Sequence, residues 1–313
     1  MKAFVTGATG FVGTHLINHL LAAGDGVLAT SQSSSVANLA PIRRNKYEML
    51  QWDITKPAST ELIKRLQEFQ PDCVYHLAAL SVPRDNGVTE PTRRALDINV
   101  GGVRHMVDLV QSLPCRPRIL LISSGLVYSL SDRRHPFVDE KTVTNPHSAY
   151  AKTKLAAERV LSDLIPKTAI DYVIVRPFQH TGIRQIPRMM LPEWAKQFAE
   201  RVDPIRVLTL NSIFDLTDVR DVVRAYRLLV QSGRQGEIYN VGSGVGTRSG
   251  DVFEMLRKFS GYPCAVVETD PGHRQQPLAR IEKIARDTGW HPVIPLEQTV
   301  KETLHYWETL KDK

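Results

Sequence analysis

At 313 residues, with 42% hydrophobic and 23% charged side chains, the chain has an ordinary globular composition and the length for one large domain or two modest ones. No run approaches the roughly 18 consecutive apolar residues of a membrane span, and 19 glycines with 19 prolines exclude a fibrous class. The net charge of +7 is dispersed, without a Lys/Arg-rich run or a zinc-finger or RNA-motif spacing, which argues against nucleic acid as a partner.

The opening MKAFVTGATG already carries a strand and a turn, so no leader is expected before the fold. Short apolar runs predict strands at 2–6, 26–30, 47–51, 73–76, 119–123 and 172–175. Amphipathic stretches between them predict helices at 12–23, 59–69, 95–113 and 150–164. This alternation implies a doubly wound parallel sheet covered by helices on both faces, with ligands beyond the carboxyl ends of the strands. Beyond Pro177 the alternation weakens. PEWAKQFAERV reads as one helix, and FDLTDVRDVVRAYRLLVQSG as another, capped by Thr217 or Asp218 and stopped at Gly233. EIYNVGSG is a further strand, and SGDVFEMLRKFSG and LEQTVKETLHYWETL are amphipathic helices. Two domains are expected: 1–178 plus about 211–242 for the sheet, and about 179–210 plus 243–313 for a smaller, mostly helical substrate domain. Three cysteines, Cys73, Cys115 and Cys264, show no metal-ligand spacing, and their odd number favours a reducing cytoplasm.

VTGATGFVG sets Gly7, Gly10 and Gly13 at the first strand-helix junction. Glycine there permits a tight turn and close approach of backbone N–H groups to a pyrophosphate, which the following helix N-terminus favours. A residue that reads the adenosine ribose is expected after the second strand. The chain offers Thr30, Ser31, Gln32 and Ser33, neither an acid for a free 2′-hydroxyl nor an arginine for a 2′-phosphate, so the choice between NADH and NADPH stays open. Asp53 and Ile54 fit either an adenine contact or a turn cap. The strand ILLISS ends in hydroxyls, with Ser124 at its lip, and SAYAKTKLAAE carries Tyr150 and Lys154 one helical turn apart. A serine can hold a substrate oxygen there while tyrosine exchanges its proton, and a neighbouring ammonium favours the phenolate.

These residues, with HLAAL at 76–80, DINVGGV at 97–103, YNVGSG and TGWHPVIPLEQTV, resemble the extended short-chain dehydrogenases/reductases, the NAD-dependent epimerase/dehydratase family. LTDVRDVVRAYRLL, GEIYNVGSGVGT and TGWHPVIPLEQT carry a finer likeness to reductases of GDP-linked 4-keto-6-deoxymannose. The resemblance implies a Rossmann fold that binds NADPH or NADH through Gly7, Thr9, Gly10, Phe11, Val12, Gly13, Ser31, Gln32, Asp53, Ile54, Leu77, Ala78, Ala79, Tyr150, Lys154 and Pro177. It implies that Ser124 positions the sugar 4-oxygen, Tyr150 is the acid or base, Lys154 assists, and Asn99 orients near that lysine. It suggests a homodimer through the helices at 95–113 and 150–164. Related 4,6-dehydratases usually follow the catalytic hydroxyl with an acid; Gly125 and Leu126 cannot supply the acid and base that loss of water needs. Three readings remain: a nucleotide-sugar 4-ketoreductase, a 4-epimerase with retained NAD, and a non-catalytic NAD(P)-binding protein.

The nucleotide end departs from the likeness. RDFTDV becomes FDLTDV, with Phe214 in place of an arginine, and Gln179 stands where an asparagine meets the diphosphate. Arg184, Arg188, Lys196, Arg206 and Arg274 are the cations available. Arg274 is expected to anchor phosphate, and Lys196 to contact the base.

Overall fold

The computed structural model describes residues 1–32, 47–129, 134–165 and 169–311. The chain runs β1 (Lys2–Thr6), α1 (Phe11–Ala22), β2 (Gly26–Ser31), β3 (Glu48–Gln51), α2 (Thr60–Phe69), β4 (Cys73–His76), α3 (Arg93–Leu96), α4 (Gly102–Gln111), β5 (Arg118–Ile122), β6 (Phe137–Val138), α5 (Ala149–Leu164) and β7 (Tyr172–Pro177). It continues with β8 (Gln179–Thr181), α6 (Met190–Ala199), β9 (Ile205–Val207), β10 (Ser212–Asp218), α7 (Val219–Ser232), β11 (Ile238–Val241), β12 (Gly246–Arg248), α8 (Ser249–Ser260), β13 (Val266–Glu268), β14 (Arg274–Gln275), β15 (Leu278–Ala279), α9 (Glu282–Thr288) and α10 (Leu296–Lys311). Among the described residues no helix is long and apolar enough to cross a membrane.

Seven parallel strands form one sheet in the order β11-β7-β5-β4-β1-β2-β3. The period-2 alternation of a strand sends neighbouring side chains into two different cores. Ala3, Val5, Tyr75, Leu120 and Val173 pack with Leu16 of α1 and Val222 of α7. Phe4, Leu28, Val74, Ile119 and Ile174 pack with Leu66 of α2, Val107 of α4 and Leu161 of α5. Helices therefore cover both faces, and the strand order reverses between β1 and β4. This is a Rossmann-type sheet, whose ligand crevice opens above that reversal.

A third core forms where α6, α8 and α10 meet β9 and β10, with Trp194, Phe198, Ile205, Phe214, Phe253 and Val300 inside it. β10 pairs with β12, β14 and β8, and β8 follows β7 after one residue, so the large sheet feeds directly into the small one. Asp215 of β10 fastens the join. Its buried carboxylate accepts the N–H groups of Ser243 (2.6 Å), Gly244 (2.9 Å) and Ala279 (3.1 Å) and the Ser243 hydroxyl (2.7 Å). Ile284 of α9 and Trp290 return to the first core.

Two stretches differ from the sequence reading. The helix expected at 95–113 is α3 and α4 joined by a π-helical turn over Asp97–Gly101. The extra residue in that turn accommodates the buried Asn99. The stretch FDLTDVRDVVRAYRLLVQSG is helical only from its cap: Asp218, one of the two caps expected, accepts the Arg220 N–H at 2.8 Å, and the residues before it are strand. Pairing with β8 and β12 outweighs local helical preference there.

Candidate active site

β1 ends at Thr6, and the chain turns through Gly7 at φ +70°, a left-handed conformation that favours glycine. A Cβ on Gly7 would lie 2.7 Å from Ala78 N, and one on Gly13 would lie 2.4 Å from Gly7 O. Glycine at both positions is a steric requirement of laying α1 against the end of β1. Gly10 is the N-cap of α1, without a side-chain cap or an acid in the first turn. The leading N–H groups and the positive end of the helix dipole are thereby turned toward an anion.

From this turn a cleft of about 1360 Å³ runs across the carboxyl ends of the strands to α10. Gly7, Thr9, Gly10, Phe11, Val12, Gly13, Leu77, Ala78, Ala79 and Pro177 line it, and Ser31, Gln32, Trp52, Asp53 and Ile54 line its β2–β3 end. Ser33 falls outside the described residues. Gln32 is exposed, and its carbonyl accepts from Gln51 Nε2 at 3.0 Å. Asp53 lines the cleft and caps a turn at once: it accepts from Thr55 Oγ1 (2.8 Å) and Thr55 N (3.1 Å), which hold its carboxyl below the usual range.

Ser124 follows β5 into the cleft, where its Oγ accepts the Leu126 N–H at 3.2 Å. Ser148 caps α5 by accepting the Ala151 N–H (3.2 Å), so Tyr150 falls in the first turn and Lys154 one turn on, both lining the cleft. Lys154 Nζ donates to the Ile122 carbonyl at 2.8 Å and lies 5.8 Å from the Tyr150 ring centroid. Burial pushes the Lys154 ammonium down to about 8, with the Glu158 carboxylate opposing. Burial likewise pushes the Tyr150 phenol up to about 12, against a hydrogen bond with Ser124. The sequence reading has the ammonium lowering the phenol; in the protein alone desolvation of the phenolate dominates instead, and the influence that opposes it is the Ser124 hydrogen bond.

Asn99, expected to orient near Lys154, is buried beside α5. It accepts the Leu80 N–H (2.7 Å) and donates to Asn86 Oδ1 (3.0 Å) and Thr153 Oγ1 (2.9 Å), not to Lys154. It fixes α5 through Thr153, the residue before the lysine.

The family is decided by length of match. Residues 3–242 match the family model described as the NAD dependent epimerase/dehydratase family. The chain belongs to that family. A GDP-6-deoxy-D-mannose reductase of Pseudomonas aeruginosa is 28% identical, covering 98% of this chain and 97% of the relative. A UDP-glucose 4-epimerase of Mycolicibacterium smegmatis is also 28% identical, covering 98% of each. The solved structure of RMD from Pseudomonas aeruginosa complexed with NADPH superposes with a TM-score of 0.81 at 26% identity, covering 98% of this chain and 99% of that one.

As an epimerase/dehydratase family member the chain takes NAD(P), and its residues fit a dinucleotide. The glycine turn leaves no room for side chains where a pyrophosphate meets α1, and the cleft extends to both sides of it. At the far end the three expected substrate contacts fall differently. Gln179 lines the cleft, but Lys196 and Arg274 do not. Lys196 lies on the outer side of α6, 3.6 Å from Glu200 and 5.9 Å from the Trp307 ring centroid. Arg274 sits on β14, held by Asp270. Among the described residues the cations that do line the cleft, besides Lys154, are Arg94, Arg184 and Arg188, the last paired with Asp85 at 2.8 Å. Arg184 is half-buried at φ +71°. Tyr306 and Trp307 of α10 also line the cleft. The sequence reading missed them because their spacing on an amphipathic helix is equally that of a core face.

Proposed function

We propose that the chain reduces the 4-keto group of a nucleotide-linked 4-keto-6-deoxyhexose with NAD(P)H, with GDP-4-keto-6-deoxy-D-mannose to GDP-D-rhamnose as the favoured pair. The observation that carries this reading is the lip after β5. Ser124, Tyr150 and Lys154 converge on the cleft, while Gly125 and Leu126 follow the serine. A Cβ on Gly125 would already meet the Phe178 ring at 3.0 Å, so an acidic side chain for dehydration would have to push that ring aside. Hydride transfer to C4 needs no such acid.

Bound NAD(P)H supplies the hydride to C4. In this reading Ser124 holds the keto oxygen, and Tyr150, neutral at physiological pH, gives that oxygen its proton to make the hydroxyl. The Lys154 ammonium stabilises the phenolate left behind and has donors for a ribose hydroxyl. The GDP-6-deoxy-D-mannose reductase relative supports the GDP-linked sugar, and the epimerase relatives support a nucleotide sugar in general.

A homodimer through α4 and α5 accompanies this reading by family likeness. Arg104, Asp108 and Gln111 of α4 and Arg159 and Asp163 of α5 are exposed, so such an interface joins charged faces. The cysteines Cys73, Cys115 and Cys264 are free, in keeping with a reducing cytoplasm. Purified protein is to be offered GDP- and dTDP-linked 4-keto-6-deoxysugars with NADPH and with NADH, following cofactor oxidation and product stereochemistry. Stoichiometric oxidation with the GDP sugar is expected. Protein that carries tightly held NAD⁺ and interconverts C4 epimers without net oxidation would replace the reductase by the 4-epimerase.

A further inference from the structure

We propose that Glu158 is a positioning residue for the reaction: its buried carboxylate keeps Lys154 charged and seats the Ser123–Ser124 lip beside it. Glu158 lies one turn of α5 beyond Lys154 and is 4% exposed. Its Oε1 accepts from the Ser123 hydroxyl and from Arg176 Nε (2.9 Å), and its Oε2 accepts from Arg176 Nη2 (2.6 Å). Ser123 stands between Ile122, whose carbonyl holds the lysine Nζ, and Ser124. One carboxylate therefore touches the short segment that positions two of the reacting groups. Arg176 is fixed in turn by stacking 4.9 Å from the Tyr128 ring centroid, and the Tyr128 hydroxyl donates to Asn240 at 2.7 Å.

The charge balance around Lys154 follows from the same geometry. The titratable groups that face it or its partners are Tyr150 and Glu158 on α5, His76 on β4, Arg176 on β7 and Tyr128 beyond β5, a phenol that burial pushes up to about 12 and so keeps neutral. His76 is neutral, pushed down to about 3 by burial and by Lys154, and Tyr150 is neutral below about 12. Glu158 is the group whose charge opposes desolvation of the ammonium. Removing that charge lowers the pH at which Lys154 loses its proton, whereas removing Arg176 exposes the lysine to an uncompensated carboxylate and raises it.

The inference rests on the pairing of Lys154 with bound cofactor, not on the sugar, so its test uses NADPH binding alone. NADPH affinity, read by fluorescence titration from pH 7 to 10, should fall through a midpoint near 8 in the native protein. The fall should vanish in Lys154→Met. In Glu158→Gln the midpoint should drop by about one pH unit, and in Arg176→Met it should rise, although both break the same ion pair and both lower Tm. Glu158→Asp, which keeps the charge, should restore most of the native midpoint. If both variants move the midpoint in one direction, or neither moves it, Glu158 is structural only. A fall that survives in Lys154→Met, or is missing from the native protein, also overturns the proposal. Should Glu158→Gln not fold, the upward shift in Arg176→Met decides alone.

Discussion

A phenol that stays protonated to about pH 12 is a donor, and the pH profile of a reduction should say so. Tyr150 holds its proton well below that value, while Lys154 holds its charge only below about 8. Both forms are present between pH 6 and 7.5, so kcat/KM should be flat there and fall roughly tenfold per pH unit above about 8. Stopped-flow oxidation of NADPH across that range checks it, and a limb near 6 would assign the control to another group. Tyr150→Phe should lose about 10²–10⁴ in kcat with NADPH affinity retained, because proton donation is removed and the glycine turn is untouched. At the ribose end, Gln32 offers no charge, and Gln32→Arg should lower KM for NADPH relative to NADH; an unchanged ratio removes this loop from the 2′-position. At the other end, Arg184 has no hydrogen-bond or ion-pair partner among the described residues, and a diphosphate in a desolvated crevice requires a cation. Arg184→Ala should weaken GDP binding about ten- to a hundredfold by calorimetry, and Arg274→Ala should leave it nearly unchanged. Charge type was readable from the residues here, but direction was not: whether an arginine faces a crevice or an aspartate depends on contacts such as Asp270 with Arg274, which the spacing does not encode.

At the scale of an element, the π-helical turn between α3 and α4 shows what periodicity carries and what it omits. Apolar spacing over 95–113 gives helix, and helix is present on both sides of the turn. The additional residue leaves no mark in the spacing, because its cause is a polar side chain seeking partners in the segment after β4 and on α5. Asn99→Ala would leave the Leu80 N–H and the Asn86 and Thr153 acceptors without that amide. A loss of about 1–3 kcal/mol in urea denaturation is expected. NADPH affinity should fall as well if the turn carries α5, whereas a stability loss with unaltered affinity would confine Asn99 to the scaffold. Strand β10 was hidden for a related reason. Its pairings with β8, β12 and β14 join residues 31 to 62 apart, as in Asp215 with Gly246 or Ser212 with Arg274, and no local pattern records them.

For the whole molecule, the large sheet was legible because its strands are apolar runs separated by regular helices, and β1 and β4 fall at the residues expected. The smaller core was legible only through α6, α8 and α10. Its strands are two to seven residues long, and Asp215 joins them to the loop after β11 through hydrogen bonds rather than through a hydrophobic signature. The four tryptophans are distributed across this architecture in a way that has an optical consequence. Trp194 and Trp290 are sealed in separate cores, whereas Trp52 lines the β2–β3 end of the cleft and Trp307 the α10 end. Reduced nicotinamide absorbs light where indole emits, and an indole beside a bound molecule changes its emission. Cofactor binding should therefore quench the intrinsic fluorescence chiefly through Trp52, and occupation of the substrate end chiefly through Trp307. Trp52→Phe and Trp307→Phe would each silence one of the two signals, so the order in which the ends of the cleft fill can be followed without labelling the protein.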